Sequence, residues 1–265
     1  MKMKKSETPL PDLLSDLKGF LDEKADFYNN HDFIENDPVR IPHRFSLKQD
    51  IEIAGFLTAT ISWGNRKSII HDAEKMMRFL EDSPFDFIRN VSLKELKILE
   101  NKSIHRTFNG EDFTEFILNL KRIYSENESL EQLFLVHRNE ENFYHSLERF
   151  RSAFLGSKQH RSHKHVSSTY KNSSAKRLMM FLRWMVRKDK KGVDFGIWEN
   201  IDQRLLSVPL DVHTGNISRK LGLIQRKQND WKTVLEMDSV LRVYDAEDPS
   251  KYDFALFGLG VSGDF

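Results

Sequence analysis

The chain has 265 residues, 39% of them hydrophobic, with a formal net charge of +1 and no cysteine. That apolar content is enough for a packed core, which excludes global disorder, and the near-neutral charge gives no overall sign of a polyanionic partner. The missing cysteines exclude disulfides, thiolate zinc sites, cysteine nucleophiles and cysteine-ligated iron–sulfur clusters.

With only 12 Gly and 7 Pro, and long runs rich in Leu, Phe, Lys and Glu, the expected fold class is all-α. Met1 to Lys5 is basic but no apolar signal core follows it. No apolar run approaches membrane-spanning length, so a cytoplasmic protein without a membrane partner is expected.

Residues 9–28 carry Leu13, Leu14, Leu17, Phe20 and Leu21 at helical spacing. Residues 30–46, with Pro38 and Pro42, read as a loop, so 1–46 is expected to be a helix and loop packed on the core formed by 47–265. Residues 47–62 form the most apolar predicted helix, from Ile51 through Ile61. Trp63-Gly64-Asn65 ends it, and a second helix over 66–80 completes a helical hairpin. Short helices are expected over 83–90 and 91–100, an irregular link over 101–110, and helices over 111–127, 129–137 and 141–155.

Residues 156–174 are Ser-rich and basic without apolar periodicity, and so predict a long mobile loop. Its His160, His163 and His165 have no carboxylate or thiolate partner nearby in sequence, so no metal is assigned. A strong helix follows over 175–188, then a linker over 190–207. The last helices are expected after Asp211, over 229–244 with Asn229 as cap, and from Asp248 to about Gly258 with Pro249 at its first position.

The stretch from Val208 to Leu223 carries the clearest chemistry. Pro209 biases Val208 away from helical angles, Asp211 is a favoured N-cap, and Gly222 supplies a left-handed stop. A carboxylate at a helix N-terminus is held in place by the dipole, which suits a general base or a stabiliser of positive charge, and equally an ordinary cap. Lys176 sits in the first turn of its own helix, where the dipole disfavours an ammonium and favours the free, nucleophilic amine. Its plain alternative is a solvent-facing lysine.

Pro209-Leu210-Asp211-Val212-His213-Thr214, with Ile217, Arg219 and Leu221-Gly222-Leu223, resembles the segment bearing the catalytic aspartate in the helix-hairpin-helix DNA glycosylase superfamily. Residues 57–60 with Trp63-Gly64-Asn65-Arg66, and the closing Asp253 to Gly260, look like two further segments of that family in the same order. The run from Ala175 to Asp211 looks like an uncharacterised bacterial family associated with it. The resemblance implies a two-lobed helical bundle without an iron–sulfur cluster, acting on duplex DNA with a flipped lesion base and no cofactor. It implies Lys176 as the nucleophile at the sugar C1′ and Asp211 as its assistant. Trp63, Asn65 and Phe257 would line a base pocket together with His213, whose expected role is structural hydrogen bonding.

The family's glycine-rich phosphate hairpin is missing before Lys176, where Tyr170 to Ser174 stand instead. Phosphate contacts are then expected from Lys171, Arg177 and Arg183, with Arg66 and Lys67 across the cleft. The implied activity is a DNA-repair glycosylase, with or without AP-lyase action. The alternatives are a nucleic-acid-binding protein without the reaction, or a helical protein-interaction scaffold.

Overall fold

The computed structural model describes residues 10–262; the basic N-terminal residues 1–5 lie outside them. The chain is mostly helical, as its composition predicts. Its helices are α1 (Leu10–Tyr28), α2 (His31–Glu35), α3 (Lys48–Thr60), α4 (Arg66–Phe79), α5 (Pro84–Asn90), α6 (Leu93–Leu96), α7 (Gly110–Glu126), α8 (Tyr144–Leu155), α9 (Lys176–Val186), α10 (Val212–Lys220), α11 (Trp231–Tyr244) and α12 (Tyr252–Ser262). Between α6 and α7 the link expected to be irregular forms a minimal antiparallel hairpin of β1 (Ser103–His105) and β2 (Phe108–Asn109). Too short for a period-two pattern, it left no signal in the sequence.

α3 is buried from Ile51 to Thr60 on every face, and α9 packs along it. Phe56 of α3 meets Phe116 of α7 at 5.8 Å, Phe154 of α8 at 5.0 Å and Phe181 of α9 at 5.6 Å, so one aromatic side chain joins four helices. On the other side α12 packs against both α1 and α10. A Cβ at Gly258 would lie 2.2 Å from the Tyr28 ring, so glycine is what lets α1 approach α12 this closely.

Several boundaries move for local reasons. Asp230, not Asn229, caps α11 by accepting from the Thr233 N–H at 3.0 Å. Asp248 does not cap; its carboxylate is taken by Arg187, and Pro249–Lys251 form a 3-10 turn before α12. Residues 129–137 make only a 3-10 turn over Leu130–Phe134. The segment 156–174, expected as a solvated loop, contains a 3-10 turn over Arg161–His165 and buries Ser162, His165 and Thr169. His165 is held by Asp112 of α7 at 3.1 Å, a partner that no sequence window would place beside it.

Glu52 is fully buried in the middle of the apolar α3. Its carboxylate accepts from the Tyr124 hydroxyl at 2.8 Å, the Ser129 hydroxyl, the Leu130 N–H at 3.0 Å and the Trp198 indole N–H at 2.7 Å. A buried charge is tolerated where such donors surround it. Glu52→Ala orphans all four donors and is expected to cost about 3–5 kcal/mol. Tyr124→Phe removes one donor and should cost about 1 kcal/mol. Urea midpoints at unchanged slope measure both; a Glu52→Ala loss no larger than that of Tyr124→Phe would refute the account.

Candidate functional site

The N-termini of α9 and α10 converge. Lys176, the first residue of α9, places Nζ 3.8 Å from Asp211 Oδ2 and 3.5 Å from the Ser62 carbonyl, with both charged side chains about a quarter exposed (27% and 23%). Asp211 caps α10 as predicted, accepting from the Thr214 N–H through Oδ1 at 2.9 Å. Gly222 takes the expected left-handed angle (φ 75°) just after the helix ends.

The loop geometry is imposed from outside the pair. Ala175 precedes Lys176 in the left-handed region (φ 49°, ψ 33°), which costs a non-glycine residue roughly 1–2 kcal/mol. It is held there by burial and by the Ser173 hydroxyl, which accepts from its N–H at 3.1 Å. The start of α11 clamps both loops. Asn172 bonds to the Trp231 N–H and to Asp230 at 3.2 and 2.9 Å, while the Asn229 side chain donates to the Asp211 carbonyl at 2.7 Å. The incoming strap is fixed by Ser207 Oγ donating to Asp238 at 2.5 Å and by Ser174 Oγ donating to the Leu210 carbonyl at 3.2 Å.

Beside the pair lies a cavity of about 30 Å³ bounded by Asp37, Lys176, Arg183, Trp184, Asp211, Thr214, Asp253 and Phe257, among others. Trp184 and Thr214 are almost wholly buried, and their Nε1 and Oγ1 atoms have no hydrogen-bond partner. Burial pushes Asp253 up to about 6, against the pull of Arg183 and with the push of the nearby Asp211. Burial raises Asp37 in the same way, opposed by the Val39 N–H and Arg183. The inner wall thus sets three carboxylates, two of them pushed by burial toward the protonated form, against the Lys176 amine and the Arg183 guanidinium. An outer groove of about 630 Å³ is lined by Arg40, Asn65, Arg66, Lys67 and His71, with Glu35 and Glu74. Arg66 joins the two spaces, its guanidinium lying 4.9 Å over the Phe257 ring.

Two phosphate assignments need correction. Arg183 is buried between Asp194 (3.2 Å) and Asp253 and is committed to them. Arg177 donates to the Thr60 and His165 carbonyls, and burial lowers it to about 10. Trp63 is also engaged already, stacked on His165 at 5.8 Å with the Arg177 guanidinium 4.8 Å over its ring. Asn65 caps α4 from the groove, Phe257 borders the cavity, and Lys67 and Lys171 are exposed. His213 is exposed and does not line the cavity. Asp37 and Trp184 carry no site signal in the sequence, and Asn229 reads there only as a helix cap; Asp37 shows there only as an Asp-Pro cap signature. Among the described residues no group of three or more His, Cys, Asp or Glu is arranged to hold a metal ion.

Fold and site together define a mostly helical protein with an amine–carboxylate pair at two helix starts. Residues 37–262 match a family described as a protein of unknown function (DUF2400), and the chain belongs to that family. No curated protein and no solved structure matches it. The resemblance to the helix-hairpin-helix DNA glycosylase superfamily is thereby corrected: the match is to this uncharacterised family, and nothing found supports membership of that superfamily. Among the described residues no helix is long and apolar enough to cross a membrane.

Two outcomes test the account of the loops. Asp211→Ala should cost about 1 kcal/mol through the lost cap, while Asp211→Ser, which keeps a capping oxygen, should cost only a few tenths; thermal unfolding of both variants decides. Asp238, pushed up to about 6 by burial, gives the pH dependence. The native state keeps its proton up to that pH while the unfolded chain releases it near 3.8, so the native state binds more protons between them. Stability contributed by this group therefore falls as pH rises from about 4 to 6, by roughly 2 kcal/mol, and Asp238→Asn should flatten that slope in urea titrations. An unchanged slope would refute it.

Proposed function

We propose that this protein cleaves the N-glycosidic bond of a damaged nucleotide in DNA, with Lys176 as the attacking amine. The observation that carries the reading is the 3.8 Å approach of the Lys176 amine to the second oxygen of the aspartate that caps α10, with both side chains reachable by solvent. In the step, the amine forms a bond to C1′ as the bond to the base breaks and its electron pair leaves on the base. Asp211 takes the proton released by the amine. The sugar ring then opens to an imine as the C1′–O4′ bond breaks and O4′ takes the proton back from Asp211, and removal of a C2′ proton by the freed carboxylate lets the 3′ phosphate leave by elimination.

Charge placement favours the same chemistry. Asp211, beside the amine, suits a sugar that becomes cationic as the base departs, with Asp37 and the Arg183-paired Asp253 lining the same cavity. Arg40, Arg66 and Lys67 line the outer groove and suit flanking phosphates, as do the helix starts. A space of about 30 Å³ holds no base, so the flipped base would lie in the outer groove of about 630 Å³.

Borohydride should trap a covalent complex between the intact protein and a lesion-bearing or abasic duplex. Lys176→Ala should abolish the complex, and Asp211→Asn should slow its formation about 100-fold or more. A trapped complex that survives Lys176→Ala, or none with the wild-type protein across a broad lesion panel, sinks the lysine mechanism. The second reading, DNA binding without chemistry, is favoured by the basic groove alone. It predicts affinity falling linearly in log–log against salt, with no base release.

A further inference from the structure

A second cavity lies away from the Lys176 site, between α4, the β1 strand and α7. It is a hollow of about 300 Å³, open to solvent on one side, and its walls are Met76, Phe79, Leu99, Ile104 and Phe113. Ile98 stands at its edge, 66% exposed. Apolar walls on this scale, closed by a few polar groups at the rim, are the usual form of a small-molecule site.

The rim fixes the chemistry. Lys75 and Lys102 stand there, with Ser103 between the lysine and the wall residue Ile104. Lys75 is shared with Asp72 at 3.7 Å, and Asp72 also holds His105 at 2.8 Å. Lys102 is exposed, and no ion pair forms at its ammonium among the described residues. The two lysines and one aspartate leave a single positive charge over an apolar chamber. A single charge of opposite sign on an apolar body complements both features.

We propose that this cavity binds an amphiphilic monocarboxylate, a medium-chain fatty acid or an acid of similar shape, with its chain against Met76, Phe79 and Phe113 and its carboxylate at Lys102. The site is independent of the Lys176–Asp211 reaction and stands or falls separately from it. A length of about eight carbons suits the volume, since a chain of that size fills an apolar pocket at the lower end of the usual range.

The test uses octanoate, octan-1-ol and octylamine, titrated calorimetrically into the full chain. Methyl NMR signals of Met76, Ile98 and Ile104 are followed in parallel to place the ligand. Octanoate should saturate and shift those methyls. It should bind about fivefold more tightly than octanol, the size of a partly exposed ion pair, and octylamine should bind least. Lys102→Glu should reverse the order of octanoate and octylamine. Ser103→Trp, at an exposed position, should block all three while leaving the helical circular dichroism unchanged. The proposal is overturned if octanoate does not saturate, if octanol binds as tightly, if Lys102→Glu leaves the order unchanged, or if N-acetyl-leucine amide outcompetes octanoate, which would mark a peptide-docking pocket instead.

Discussion

The site depends on two buried arginines, one in the last turn of α9 and one just past its end. Arg183 and Arg187, each with a side chain 4% exposed, are held by Asp194, Asp253, Asp189 and Asp248, which come from the linker after α9 and from the start of α12. Arg187 is pushed further above its ordinary range, its burial outweighed by Asp194 and Asp248. Two guanidinium groups in an interior are tolerable only while every partner stays in place, because an unpaired buried charge costs several kcal/mol. The network therefore sets the position of α9 relative to α12. Since α12 also packs against α10, the same constraint fixes the start of α9, with Lys176, against the start of α10, with Asp211.

That arrangement explains why the charges are sorted by depth. The carboxylates beside the lysine are each there for a structural reason: Asp253 because the arginine network needs an acid on α12, and Asp37 and Asp211 as caps of a 3-10 turn and of α10. Basic side chains without structural partners are left to the surface, at Lys67 and Lys171. An acidic floor beneath a more basic rim follows from the folding requirement, and it is also the distribution that breaking a glycosidic bond in a polyanion would use.

The sequence carried the elements that are set locally. The α10 start was legible from Pro209, Asp211 and Gly222 because each acts through its own backbone, and the apolar run of α3 announced a core helix. Features made by distant residues were not legible. Arg183 looked like a phosphate ligand because its partners Asp194 and Asp253 are 11 and 70 residues away. Trp63 looked like a free platform because His165 reaches it from within, and Arg177 from just past, a segment that reads as solvated loop. Glu52 was passed over within α3, since its four donors come from three other parts of the chain. The left-handed Ala175 has no signature at all, because alanine shows no preference for that angle and only the packing around it selects it.

Asp211 began as a residue with two competing explanations, and its two oxygens separate them. Oδ1 does the structural work, accepting from the Thr214 N–H in the cap. Oδ2 faces Lys176 at 3.8 Å, too far for a good hydrogen bond and too exposed for the pair to add much more than about 0–1 kcal/mol of stability. The cap needs only the first oxygen, and serine or asparagine would supply it as well. What the cap does not use is a carboxylate oxygen held rigidly beside an amine, with the orienting bond already made by the backbone. Structural need accounts for an oxygen at residue 211; it does not account for the second one.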